Sequence, residues 1–435
     1  MEWVVVISVL LMTTLSLFRV NVIVAIIISA VVAGLMSGLN IIESIEMLIS
    51  GMGGQANTAL SYVLLGAFAV AISYTGITTL LVNFLIRILT GKKTMLLLAI
   101  AGVASLSQNV VPVHIAFIPI LIPPLLKLFD QMRIDRRGVA LALTFGLKAP
   151  YIMIPAGFGL IFHGIILDGM TQNGADITLS EVSLAMIIPG LGMIVGLLIG
   201  VFFTYRKDKE ALPDVEGMAN IVKPIEEKVT FNTKHLLTIV AILGALIVQI
   251  ITRNLVLGAL TGLILMVAFF VVPFSKSDKI VADGVSMMST IAFVMLVASG
   301  YGTILKETGA VDALVEVSSG FLGDNKILIS FVLLLVGLVV TIGIGSSFGT
   351  IPIIAALFVP ICLAAGFSPL ATAALIGTAG ALGDAGSPAS DSTLGPTSGL
   401  NADGKHNHIW DTCVPTFIHF NIPLFIFGWA ASLFL

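Results

Sequence analysis

The chain has 435 residues, 57% hydrophobic and only 10% charged, with a formal net charge of −3. Soluble domains carry roughly 25% charged residues, so a mean hydropathy of +1.11 excludes a water-soluble domain and indicates a polytopic membrane protein. No basic stripe suited to nucleic acid and no nucleotide-binding P-loop occurs.

Apolar runs of about the 20 residues that a crossing helix needs recur along the chain. Full crossings are expected near 3–18, 20–37 and 57–86, with an acidic external loop over 38–56. The first segment has no basic leader and runs straight into the second, which argues against a cleavable signal. The apolar stretch 94–126 is interrupted by SLSQNVVP, residues 105–112. A crossing over 138–167 follows, interrupted within LKAPYIMIPAGFG (147–159), then one at 183–205. Residues 206–234 form a hydrophilic linker that carries six Lys or Arg. Beyond it, crossings are expected near 236–252, 255–273 and 290–317. The stretch 327–366 is broken at GIGSSFGTIP (343–352), and crossings 369–397 and 413–433 complete the chain. Gly, Ser, Asn and Pro at the breaks lower helix propensity and remove a backbone donor.

Basic residues gather in cytoplasmic loops. Arg87, Lys92 and Lys93 precede 94–126, and Lys127, Arg133, Arg136 and Arg137 follow it, so this stretch is expected to enter and leave on the same side. The linker is then inside as well, and both termini outside. On this scheme Arg253, Lys306 and Lys326 fall outside and Lys148 within the membrane; the rest of the 21 Lys and Arg fall inside. The expected location is the cytoplasmic (inner) cell membrane, with the lipid bilayer as solvent.

Two halves are related by a shift of 233, which aligns YTGITTLLV (74–82) with ETGAVDALV (307–315) and Pro155-Ala156 with Pro388-Ala389. The tip prolines Pro112 and Pro352 align at 240, which implies local gaps. Five crossings and one hairpin per half make the second half inverted, an organisation found in secondary transporters. The expected fold is therefore all-α, with two inverted-topology repeats over 1–205 and 235–435. It has about ten crossings, re-entrant hairpins 94–126 and 327–366, and broken helices 138–167 and 369–397.

The stretch GDAGSPASDSTLGP (383–396) stands out, because it places two carboxylates among small residues in a hydrophobic chain. An intramembrane carboxylate marks a functional site because its burial is costly. Asp384 and Asp391 can hold Na+ or carry a proton; the plainer alternative is that they cap half-helices. Ser387, Ser390, Ser392 and Thr393 place hydroxyls beside them, as do Ser346, Ser347 and Thr350 at the second tip. Ser107, Gln108 and Asn109 supply polar groups at the first tip, where the alternative is a hydrogen-bonded turn. Lys148 can neutralise an aspartate or replace a cation; alternatively it snorkels to the interface. In the first half Tyr151 occupies the slot of Asp384, and Phe158 that of Asp391.

The remaining chemistry-bearing residues have plainer readings. His114 and His163 are read as structural hydrogen-bonders, and His406 and His408 as loop residues without a zinc-like cluster. His419 and Asn421 are placed in the last helix, with weak access to the cavity. Cys362 and Cys413 read as small buried hydrophobes.

The run GDAGSPASDSTLGPTSGLNADGKHNHIWDTCVPTFIHFNIP, within 377–423, resembles the ion transporter superfamily. It is most similar to the branch of C-type sodium/proton antiporters and related amino-acid permeases. The resemblance implies two inverted repeats, two re-entrant hairpins, an elevator motion and often a homodimer. The superfamily's dicarboxylate carriers bear Ser-Asn-Thr at their tips. This chain instead reads Ser107-Gln108-Asn109 and Ser346-Ser347-Phe348, which points away from a dicarboxylate.

The leading expectation is a Na+- or H+-coupled secondary transporter of a small polar solute, most readily an amino acid. The alternative is a Na+/H+ antiporter without organic substrate. No cofactor beyond the coupling ion is expected. The sequence has no HExxH motif of an intramembrane enzyme.

Overall fold

A computed structural model describes every residue except Glu2, Arg19, Thr79, 81–91, 110–113, Gly157, 208–230, Arg253 and 321–324. The described chain is helical throughout, and no strand occurs among the described residues. The first half comprises α1 Trp3–Leu17, α2 Val22–Met36, α3 Ile41–Tyr74 and α4 Lys93–Asn109. Short helical turns return from His114 to Gln131, followed by α5 Arg136–Met153, α6 Phe158–Gln172 and α7 Leu179–Thr204. The second half comprises α8 Thr233–Thr252, α9 Leu255–Ala268, α10 Phe274–Glu307 and α11 Ala310–Gly320. It continues with α12 Lys326–Ile344, α13 Ser347–Ala364, α14 Pro369–Ala381, α15 Asp391–Leu400 and α16 His408–Phe434. Among the described residues six helices are long and apolar enough to cross a bilayer, or eight if each bent pair counts as one span. The chain is an all-α polytopic membrane protein.

Element boundaries recur at a fixed spacing. Helices begin at 22 and 255, 41 and 274, 93 and 326, 136 and 369, and 158 and 391, each pair 233 apart. α3 and α10 are both 34 residues long. The return segment after α4 starts at His114 and α13 at Ser347, again 233 apart. The register thus runs through the tips without a gap, which corrects the pairing of Pro112 with Pro352. Pro112 lies outside the described residues, and Pro352 lies inside α13.

Other boundaries differ from expectation for local reasons. Residues 41–52, expected as an external loop, open α3, because Asn40 and Glu43 form a reciprocal capping box. α10 likewise extends well before 290. α4 continues through Ser105 to Asn109, and the rest of the expected first break, 110–112, lies outside the described residues. The second break is only two residues. Gly345 closes α12 at φ 70, a left-handed conformation that favours glycine, and Ser346 caps α13 through Gly349 N. Lys326 Nζ donates to the carbonyl of Gly366, so the start of α12 lies beside the end of α13. The two form a helical hairpin.

The helices sort into two bodies. α3 packs along α10, with α2, α8 and α9 around them. Glycines let the long pair approach: a Cβ at Gly284 would overlap the backbone of Ala67, and one at Gly300 would overlap Leu48. Small residues at helix contacts serve this close packing in membranes. Gly51 faces Gly300 while Gly66 faces Gly284, so the two helices run antiparallel. The second body contains α4 to α7 and α12 to α16, with α5 packing on α15, α6 on α13 and α7 on α16. At its edge Arg136, only 3% exposed, clasps Asp130 at 2.9 Å and Asp403 at 2.6 Å. Burial pushes the Asp403 carboxyl up, but the hydrogen bonds and charge of Arg136 outweigh it and hold that group below its ordinary range.

Gly284→Val is expected to destabilise the protein by about 1–3 kcal/mol through overpacking. Gly102→Ala, where an added Cβ meets nothing within 4 Å, should cost nothing. Thermal unfolding of the two variants in the same detergent checks both outcomes.

Candidate functional site

The site forms where both broken elements meet the tip of the second hairpin. α5 ends at Met153, just before Pro155, and α6 starts at Phe158. α14 ends at Ala381, and α15 starts at Asp391. Between them 382–390 runs as non-helical backbone, with Gly386 at φ 134, a value that a side chain rarely adopts. Such backbone survives at membrane depth only if protein satisfies its polar groups. Here Asn421 accepts from Gly383 N at 2.7 Å and donates to Ala385 O at 2.6 Å. His408 Nε2 lies 3.0 Å from Pro388 O, and Thr393 Oγ1 donates to Ser387 O at 2.6 Å.

Asp384 occupies the centre and is 3% exposed. Its Oδ2 pairs with the Lys148 ammonium and accepts from Ser347 Oγ at 2.6 Å and from Tyr151 OH at 3.3 Å. Its Oδ1 accepts from Ser390 Oγ, and from Ser392 Oγ at 3.4 Å. Lys148, 1% exposed, also donates to Tyr151 OH and to Ser347 Oγ at 3.0 Å. α13 points its N-terminus into this cluster through Ser347, and the positive end of a helix dipole favours a carboxylate there. Tyr151 and Asp384 are 233 positions apart and touch. Asp391, in the first turn of α15, is partly exposed and accepts from Tyr62 OH on α3.

The arrangement concentrates carboxylate and hydroxyl oxygens around one buried ammonium. Oxygen donors of this kind suit hard cations. Among the described residues no group of three or more His, Cys, Asp or Glu could hold a metal ion. Asp384 and Asp391 supply the negative charge of this cluster.

The structure brings together Lys148, Ser347, Asp384, Ser390 and Ser392, with Asp391 adjacent. Lys148 is buried against Asp384 and does not extend to the surface. Ser346 and Ser390, not the aspartates, cap the half-helices. Other expected hydroxyls serve the scaffold. Thr350 bonds Ser346 O at 2.8 Å, Ser387 bonds Ile342 O at 3.0 Å, and Thr393 closes its own turn. The side chains of Ser107, Gln108, Asn109 and His114 lie outside the described residues.

Several histidines have scaffold partners. His163 bonds Ser183 and the carbonyl of Ile152. His419 sits between Pro415 O and Thr204. His406 and His408 are not solvated loop residues: His406 is 3% exposed, and His408 braces the break. Cys362 and Cys413 are buried thiols. Sequence reasoning missed Tyr62, whose only advance signal was a rare polar ring within an apolar run; it also missed Thr144, which bonds Ser392 O at 2.9 Å.

Two family patterns match the chain. One, described as Na+/H+ antiporter family, covers residues 142–429; another, described as Na+-H+ antiporter family, covers residues 4–89. A protein of Vibrio parahaemolyticus named as an uncharacterized membrane protein is 50% identical over 99% of both chains. The Bacillus subtilis protein named "Putative amino acid transporter YuiF" is 48% identical, again over 99% of both. Among solved structures, the YdaH transporter of Alcanivorax borkumensis aligns over 89% of this chain and 86% of its own, at a TM-score of 0.48 and 14% identity.

Lys148→Met leaves the buried Asp384 charge unpaired, which is expected to cost about 3–5 kcal/mol. The double variant Lys148→Met, Asp384→Leu should recover most of that loss. A double-mutant cycle on unfolding in detergent measures the coupling; additive losses would show that the pair is not formed.

Proposed function

The chain belongs to the Na+/H+ antiporter family, and on that premise we propose that it carries a small amino acid across the membrane, coupled to Na+ or H+. Ion-coupled transport follows from the family, and a transporter of this kind is no enzyme. The substrate class, the coupling ion and the motion are our reading.

One observation carries the reading: a buried ammonium and two carboxylates converge where broken helices meet a hairpin tip. Half-helix termini and unwound backbone form binding sites in secondary transporters. A zwitterion finds a partner for each of its charges here. The N-terminus of α13 and Lys148 suit its carboxylate, and Asp384 or Asp391 suits its amine. The hydroxyls of Ser347, Ser390 and Ser392 suit Na+. The name of the Bacillus subtilis relative supports an amino acid as cargo.

The 233-residue register and the antiparallel α3–α10 pair support two inverted halves. The separation into two helix bodies supports an elevator motion of one against the other. Homodimer formation and a cytoplasmic-membrane location with both termini outside complete the proposal.

A second reading is Na+/H+ exchange without organic solute, and the family description favours it. In that case Na+ and H+ compete for the same carboxylates. Currents from proteoliposomes separate the two readings. Each amino acid is applied as a concentration jump at fixed Na+ and again without Na+. A Na+-dependent current for one class establishes amino-acid symport. Silence across the panel, with a lumenal pH change on a Na+ jump alone, establishes exchange.

Asp384→Asn and Asp391→Asn are each expected to reduce this current to background while expression and monodispersity persist. Normal transport by the double variant would remove both residues from the site.

A further inference from the structure

Tyr62 is the point where the α3 body reaches into the site, and its hydroxyl spends its proton on Asp391. The two residues belong to different bodies: Tyr62 to the long antiparallel pair, Asp391 to the first turn of α15. The same face of α3 meets the hairpin tip two turns earlier, where Gln55 Nε2 would lie 3.7 Å from a Cβ on Gly349. Tyr62 is 2% exposed. The equivalent positions in the other half hold Met295 and Phe158, which have neither donor nor charge. A charged junction between the bodies is thus built on one side only.

The two carboxylates are unlike each other. Asp384 is already matched by an internal ammonium and four hydroxyls. Asp391 is partly exposed, and its contact with α3 is a neutral phenol. A monovalent cation that takes Asp391, whether Na+ or a substrate ammonium, must displace the Tyr62 hydroxyl.

Resting on the transport reading above, we propose that Tyr62 competes with the transported cation for Asp391 and so latches the empty carrier. With the site empty, the phenol ties α15 to α3. When a cation takes the carboxylate, the tie is released and the second body is free to move past the first. Tyr62 keeps its proton throughout; only its acceptor changes. The consequence is a brake on the empty carrier: the unloaded site returns slowly, so exchange outpaces net flux.

Tyr62→Phe keeps the ring and deletes the latch. The test uses the full chain in proteoliposomes, with one arm titrating Na+ alone and the other titrating each amino acid at fixed Na+. The arm that saturates identifies the source of the cation. In Tyr62→Phe the half-saturating concentration should fall about tenfold, the order expected when a hydrogen bond to a charged group no longer competes. Efflux of preloaded cation or amino acid into ligand-free buffer should also rise several-fold relative to exchange in the same vesicles. A weaker or unchanged half-saturation would overturn the proposal, since Tyr62 would then be a ligand or a bystander. An unchanged ratio of efflux to exchange would overturn it as well. A wild-type protein silent in both arms sinks the transport reading itself, a different outcome. If Tyr62→Phe fails to reconstitute, Tyr62→Leu gives the same readouts, because it also removes the hydroxyl.

Discussion

A charge buried at membrane depth persists only beside its opposite, and the Lys148–Asp384 pair is the interaction about which this molecule is arranged. Lys148 lies within α5 of the first half, and Asp384 lies in the unwound stretch of the second. Each alone would be expelled or neutralised. Together they fix the approach of two elements far apart in sequence, and the surrounding hydroxyls fill the remaining lone pairs of the carboxylate. The hairpin α12–α13 is drawn into the same arrangement through Ser347, because that hydroxyl bonds both partners.

Holding the pair in place requires an irregular segment, and that segment is paid for residue by residue. Gly383 N, Ala385 O, Ser387 O and Pro388 O each find a side-chain partner on α15 or α16. A propped break keeps its geometry without the continuous helix that would bury the same atoms. The outer body solves a different problem by different means: α3 and α10 close on each other through glycines, with no ion pair between them among the described residues. One body is therefore held by polar satisfaction and the other by close packing. A division of this kind suits a molecule in which chemistry and support are separate tasks.

Much of this was legible in the sequence. The apolar runs identified the membrane class, and GDAGSPASDSTLGP marked the break because small residues and two aspartates interrupt the apolar pattern there. The shift of 233 was readable from YTGITTLLV and ETGAVDALV, yet the two tip prolines misled. A proline reads as a breaker, but Pro352 lies inside α13, which continues past it at the cost of one helical hydrogen bond. The turn itself belongs to Gly345. The helical start of α3 was hidden because Glu43 and Glu46 look like loop residues, although Asn40 and Glu43 stand at capping-box spacing. His406 and His408 looked solvated for the same reason, since composition does not reveal that a polar residue faces a strained backbone. Which hydroxyls face Asp384 and which merely brace their own helix depends on three-dimensional direction. Ser387 and Ser390, three positions apart, take opposite roles.

The length of α3 and α10 has a consequence for the surrounding lipid. Each has 34 residues, roughly 51 Å at 1.5 Å per residue, against a hydrocarbon thickness of about 30 Å. A helix that long must tilt steeply or run out into the headgroups. Their leading turns expose Ile41, Ile42 and Ile49 on one and Phe274 on the other, beside Glu43, Glu46, Asp278 and Lys279. Because the helices are antiparallel, these amphipathic ends emerge on opposite leaflets. Each leaflet thus gains an outrigger that resists sinking or rising. The thickness of the bilayer then sets the tilt of the support, and with it the height at which Tyr62 meets the site.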